Sequence, residues 1–231
     1  MLSAARLHPV RLRRREAGMS LVELMVGIAV GLFIVGAATM VVTTQLGDNR
    51  RLLIETQLQQ DLRASVDIIT RELRRSGAWG AASQGIWYPE SPSPAASNPF
   101  QALDVDGEAG SVTFEYHRGP GAEGPYGFRL RSGVIQTQLA GSGWQDLTDA
   151  NVMTVTRFAI ESVENRSDPL PCPRLCPDGT TGCWPRLVSR TLRIDIEAEA
   201  RGDDSVQRTL STVVRPRNDE VEFNNGGSVC P

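Results

Sequence analysis

The chain turns apolar soon after it begins. From Leu24 to Gly47 it runs 24 residues without a charge. At about 1.5 Å per residue a helix over them is about 36 Å long, enough to cross a hydrocarbon core of about 30 Å. Beyond Asp48 the pattern changes. Leu58, Leu62, Val66, Ile69 and Leu73 recur at spacings of 4, 4, 3 and 4, which places them on one helical face. Arg50, Arg51, Asp61, Arg63, Arg71, Glu72, Arg74 and Arg75 fall at other positions. No proline interrupts residues 19–76, and Gly77 follows the last stripe residue as a C-terminal stop. The spacing predicts one long helix from Met19 to about Ser76. Residues 19–46 form its transmembrane half, and residues 47–76 an amphipathic half packed on a head.

Residues 81–110 are rich in Ala, Ser, Gly and Pro, with Pro89, Pro92, Pro94 and Pro99 close together, and read as a loop. Short alternating runs follow at Ser111–Tyr116, Gly127–Arg131, Val134–Leu139 and Val152–Val163. Leu192, Ile194 and Ile196 alternate with Arg193 and Asp195 as a half-buried strand. Gly202–Asp203–Asp204 reads as a turn, and Ser205–Val214 as the partner strand of a hairpin. Antiparallel strands against one helix predict an α+β head over residues 77–231, with a Pro- and Cys-rich loop at 168–186.

Composition narrows the class. With 231 residues, 40% hydrophobic and 22% charged, neither a largely disordered chain nor a multi-span membrane protein fits. All 24 basic residues are Arg. The formal charge of −3 argues against a broad basic surface for nucleic acid, but it averages two unlike parts. Residues 1–18 carry five Arg against one Glu, a net +4, and the rest carries −7. Arginines before the span and acids after it put the N-terminus in the cytoplasm. The apolar core exceeds the roughly 7–15 residues of a secretory signal peptide. A plain membrane anchor fits the length but leaves Glu23 unexplained, since a carboxylate in a membrane segment costs ~2.5–3.5 kcal/mol and marks a site with a definite partner.

Gly18–Met19–Ser20–Leu21–Val22–Glu23–Leu24–Met25–Val26 resembles the signal of type IV prepilins and type II secretion pseudopilins. The resemblance implies a pilin-like fold and a basic leader, residues 1–18, removed by prepilin peptidase on the cytoplasmic side. Gly18 would precede the cut, Met19 would become the N-methylated first residue, and Glu23 the acid at mature position five. The new amine at Met19 could then be neutralised by Glu23 of a neighbouring subunit, offsetting part of the desolvation cost of each charge. Gly27, Gly31 and Gly36 are expected to thin one side of the span, and Gly27-x-x-x-Gly31 permits close helix approach. Where such pilins often carry a proline, this chain has Met40. Leu58–Gly80 and Val213–Asn218 resemble the PilW group of minor pilins, and the latter also J-type secretion pseudopilins.

Cys172, Cys176, Cys183 and Cys230 lack the paired C-x2-C units or His companions of a zinc site. Outside the cytoplasm they read as disulfides, with three connectivities open. Asp104-x-Asp106-Gly107 resembles a fragment of a calcium loop without the later ligands, and a polar turn is the simpler reading, as for Asp203–Asp204. His117 reads as a surface residue, and Ser142 lacks the spacing of a nucleophile elbow. Trp79, Trp87, Tyr88, Trp144 and Trp184 read as packing residues, with Trp87, Tyr88 and Trp184 as candidate interface anchors. No enzyme, cofactor or metal is expected.

The resemblance therefore implies a minor pilin anchored once in the inner membrane with its head in the periplasm, later carried to the pilus at the cell surface. It would join other minor pilins to prime type IV pilus assembly, near the tip. Its expected partners are those minor pilins, the major pilin, prepilin peptidase and the assembly platform. The alternatives are a J-type pseudopilin of type II secretion and a membrane-anchored periplasmic binding module. A DNA-binding pilin is disfavoured by the acidic mature chain.

Overall fold

A computed structural model describes residues 18–86, 96–120, 124–140 and 142–223. The chain divides into two compact units, Met1–Arg51 and Leu52–Pro231. Helix α1 runs from Leu21 to Leu73, 53 residues, so apolar span and amphipathic stripe belong to one continuous helix.

In the first unit every described side chain is exposed. Thr39 donates its hydroxyl to the Val35 carbonyl, and Thr43 and Thr44 donate theirs to Met40. These polar side chains thus find partners inside the helix, which hydrocarbon would demand. The helix is unbroken at Met40. At about 100° per residue Gly27 and Gly31 share a face, whereas Gly36 lies about 180° from Gly27. The expectation that all three thin one side is corrected to the pair.

In the second unit Leu58, Leu62, Val66, Ile69 and Leu73 are buried, none more than 5% exposed, as the stripe predicts. They join the inward residues of two antiparallel sheets in one core. The first sheet is a meander of β1 (Leu103–Asp106), β2 (Ser111–Phe114), β3 (Tyr126–Arg131), β4 (Val134–Gln138) and β5 (Trp144–Asp146). The second orders β6 (Met153–Pro169), β7 (Arg186–Ala200) and β8 (Asp203–Val214), with β9 (Glu220–Glu222) also pairing β7. This is the α+β, pilin-like architecture expected. Phe114, Tyr126 and Phe128 of the first sheet and Tyr116 just beyond β2 stack into an aromatic ladder, Tyr116 and Tyr126 closest at 4.1 Å between centroids.

Several elements differ from the sequence pattern. Residues 81–110 are not all loop, since they hold the 3-10 turn Ala82–Gly85 and strand β1. β6 reaches Pro169, well beyond Val163, because residues 161–169 pair with Arg186–Arg193 of β7. β8 begins at Asp203, inside the expected turn, and Gly202 alone takes the left-handed conformation there.

The end of α1 is closed by distant chain. Gly77 adopts φ +75°, and its N–H donates to Glu115. The Arg217 N–H donates to the Arg74 carbonyl at 3.1 Å, and Asn218 Nδ2 to the Ser76 carbonyl at 3.0 Å. Asn98 Nδ2 donates to the Gly77 carbonyl at 2.7 Å. Orphan carbonyls at the helix end thus find donors.

Gly110, between β1 and β2, has φ +58°, and a Cβ there would lie 2.4 Å from the Phe158 carbonyl oxygen. Gly110→Ala should therefore cost about 2–3 kcal/mol through strain and displaced backbone. Denaturant unfolding followed by tryptophan fluorescence would read it, and an unchanged midpoint would show that this approach is not tight.

Candidate functional site

The residues preceding α1 form the first part of the site. Gly18, Met19 and Ser20 are non-helical and exposed, so the Gly18–Met19 bond lies in open chain two residues before the helix. Ser20 and Glu23 then hold each other. The Glu23 N–H donates to Ser20 Oγ at 3.4 Å, and the Ser20 N–H donates to a Glu23 carboxylate oxygen at 3.5 Å. This reciprocal pair is a loose capping box, and its carboxylate also faces the positive end of the helix dipole. Ser20-x-x-Glu23 ahead of an apolar run was the readable signal for it.

Along the helix, Leu21 is 74% and Phe33 78% exposed. An added Cβ at Gly27 or Gly31 would meet nothing within 4 Å, so both glycines present open backbone. By length and composition α1 can cross a membrane.

The second part of the site lies where α1 ends. Glu72 accepts from the Tyr116 hydroxyl at 2.6 Å and from the Arg75 guanidinium at 3.0 Å, and Arg71 lies at 3.7 Å. Burial first, then the bond to Glu72, pushes the Tyr116 pKa up to about 12. Bonding to Tyr116 and the nearby Glu72 charge raise that of Arg75. A tyrosine pKa raised by folding contributes stability that is full below the unfolded value near 10 and lost as pH climbs toward about 12. Tyr116→Phe should therefore flatten the fall in melting temperature over that alkaline window. Parallel wild-type and variant curves would refute the coupling.

The remaining candidates are scattered. Cys176 and Cys183 form a disulfide, and Cys172 is disulfide-bonded as well. Cys230, Trp87 and Tyr88 lie outside the described residues. Asp104 and Asp106 belong to β1, where Asp106 accepts from the Ala109 N–H at 2.9 Å. Asp203 accepts from both the N–H and the hydroxyl of Ser205. No three His, Cys, Asp or Glu gather as metal ligands among the described residues. His117 packs against Phe100 at 5.9 Å between ring centroids, and the Ser142 hydroxyl donates to the Leu139 carbonyl. Trp184 donates to the Arg174 carbonyl, Trp144 carries Arg129 over its ring at 4.2 Å, and Trp79 packs close to Gly85.

An exposed glycine, a capped helix start and a membrane-length apolar run define a class, and residues 13–39 match the prokaryotic N-terminal methylation motif. The chain is thus a prepilin-like protein with a membrane-anchoring helix. Residues 51–216, from the amphipathic half of α1 through the end of β8, match the family described as prepilin peptidase-dependent protein B, and the chain belongs to that family. Such proteins are structural, and membership places this one among prepilin peptidase substrates and in the context of pilus assembly. No curated protein and no solved structure matched the chain.

Proposed function

We propose that this chain is a PilW-like minor pilin that joins other minor pilins and the major pilin to prime type IV pilus growth near the fibre tip. Prepilin peptidase cuts after Gly18, Met19 is N-methylated, and the span holds the protein in the inner membrane with its head in the periplasm. The assembly platform then takes it into the fibre, which carries it to the cell surface. The observation that supports this most is the exposed start of α1, where an accessible Gly18–Met19 bond meets a capped, wholly uncovered apolar helix. A helix with that much bare apolar surface is complete only in lipid or among like helices.

Glu23 now has two separable tasks, capping the helix and supplying charge to a neighbour. Glu23→Gln keeps a side chain able to cap but removes the charge, whereas Glu23→Ala removes both. If charge governs assembly, both variants insert in the membrane and both are lost from sheared pili. Wild-type incorporation of Glu23→Gln would sink the charge role. Affinity isolation of the full-length protein from membranes should recover other minor pilins, and recovery of secretion pseudopilins alone would overturn the pilus assignment.

A further inference from the structure

The last turn of α1, the residues just after it and the segment after β8 bring four arginines together. Among the described residues Arg71, Arg74, Arg75 and Arg217 line an open pocket of about 220 Å3. Arg217 reaches it because its N–H is bound to the Arg74 carbonyl. Cations at a helix C-terminus complement the dipole, which accounts for Arg71 in the last turn and for Arg74 and Arg75 just after it, but not for Arg217, which comes from another part of the chain. One carboxylate, Glu72, serves the group, and it pairs with Arg71 and Arg75. Among the described residues no ion pair or side-chain hydrogen bond engages Arg74 or Arg217. Four guanidinium groups against one carboxylate leave +3 at this spot, on a chain that carries −7 from Met19 onward. Like charges this close repel, and the arrangement calls for an anion.

We propose that this pocket binds a phosphate monoester. The volume is many times the ~10–15 Å3 that one water needs on the same measure and below the ~300–1,000 Å3 of drug-sized pockets, so it suits one small anionic group. Guanidinium forks match phosphate oxygens bidentately, and a dianionic terminal phosphate fits a local +3 better than a singly charged diester. A nucleic-acid strand would need basic groups tracking its backbone, and this cluster is compact on an acidic protein. The phosphate could belong to a soluble metabolite or to a lipid headgroup, and the test separates them.

Full-length protein in non-ionic detergent at low salt is titrated calorimetrically with glycerol 3-phosphate and with dihexanoyl phosphatidic acid. Glycerophosphocholine and an unphosphorylated 12-mer DNA serve as comparisons. Saturable one-to-one binding of a monoester is expected, about tenfold or more tighter than the diester. Affinity should rise between about pH 5 and 7.5 as the second phosphate proton leaves near 6. Equal affinity for the two monoesters assigns a soluble source, and much tighter binding of phosphatidic acid a lipid one; either supports the site. The double substitution Arg74→Gln with Arg217→Gln should weaken binding tenfold or more, while Arg201→Gln, at the β7–β8 turn, should not. The pH profile of the unmodified protein keeps the proposal testable even if the double variant misfolds. Failure of both monoesters to saturate, unchanged affinity in a folded double variant, or binding of DNA alone would overturn it.

Discussion

Gly18→Val is expected to leave the basic leader attached. A peptidase working at the membrane surface must seat the backbone on both sides of the Gly18–Met19 bond. At Gly18 itself, no described residue comes within 4 Å of an added Cβ. Valine adds a β-branched side chain and narrows the accessible backbone conformations. Intact-mass measurement of protein isolated from membranes should then show the unprocessed chain throughout, still membrane-bound because the span is untouched. Pili should contain none of it. Normal processing of this variant would move the cleavage point elsewhere.

The other large effect concerns the head. Phe114 is 1% exposed and stacks on Tyr116, Tyr126 and Phe128, so Phe114→Ala removes a ring from the centre of the ladder. Truncations of this kind cost about 3–5 kcal/mol, a large part of the 5–15 kcal/mol that holds a domain together. Denaturant unfolding should show a much lower midpoint with an unchanged slope, and protease digestion should turn from slow to rapid. A loss under about 1 kcal/mol would mean that the neighbouring rings close the gap.

Much of this architecture could be read from the residues because it is written in long periodic signals. The stripe from Leu58 to Leu73 and the alternation through Ile194 and Ile196 each repeat often enough to fix a face. β1 offers only Leu103 and Val105 as apolar positions, set within an Asp-rich string that equally describes a turn. β9 has three residues and owes its existence to geometry. β8 reaches only to Leu192 of β7, leaving Arg186–Val188 open for Glu220–Glu222 to pair. The lower half of β6 is exposed on both faces, so it lacks the alternation that would have marked it. At the helix start, Gly18, Met19 and Glu23 stood out through the resemblance to the prepilin signal, whereas Ser20 went unread although Ser20-x-x-Glu23 has the spacing of a capping box. The Tyr116–Glu72–Arg75 group and the four-arginine pocket had no local signature, since Tyr116 is 44 residues from Glu72 and Arg217 comes from beyond β8. The disulfide between Cys176 and Cys183 belongs to one of the three open connectivities, and spacing alone could not select it.

The closure of α1 by Arg217 and Asn218 also sets an order of events. The Asn218 donor lies 142 residues beyond the Ser76 carbonyl it satisfies, so the turn that closes the helix end waits for nearly the whole chain. Contacts of such long sequence separation slow folding, because a large loop must close before they contribute. The head therefore matures only after almost all of it has been synthesised. A chain halted before residue 217 would leave the Arg74 and Ser76 carbonyls without these donors and present an open helix end to the cell's proteases.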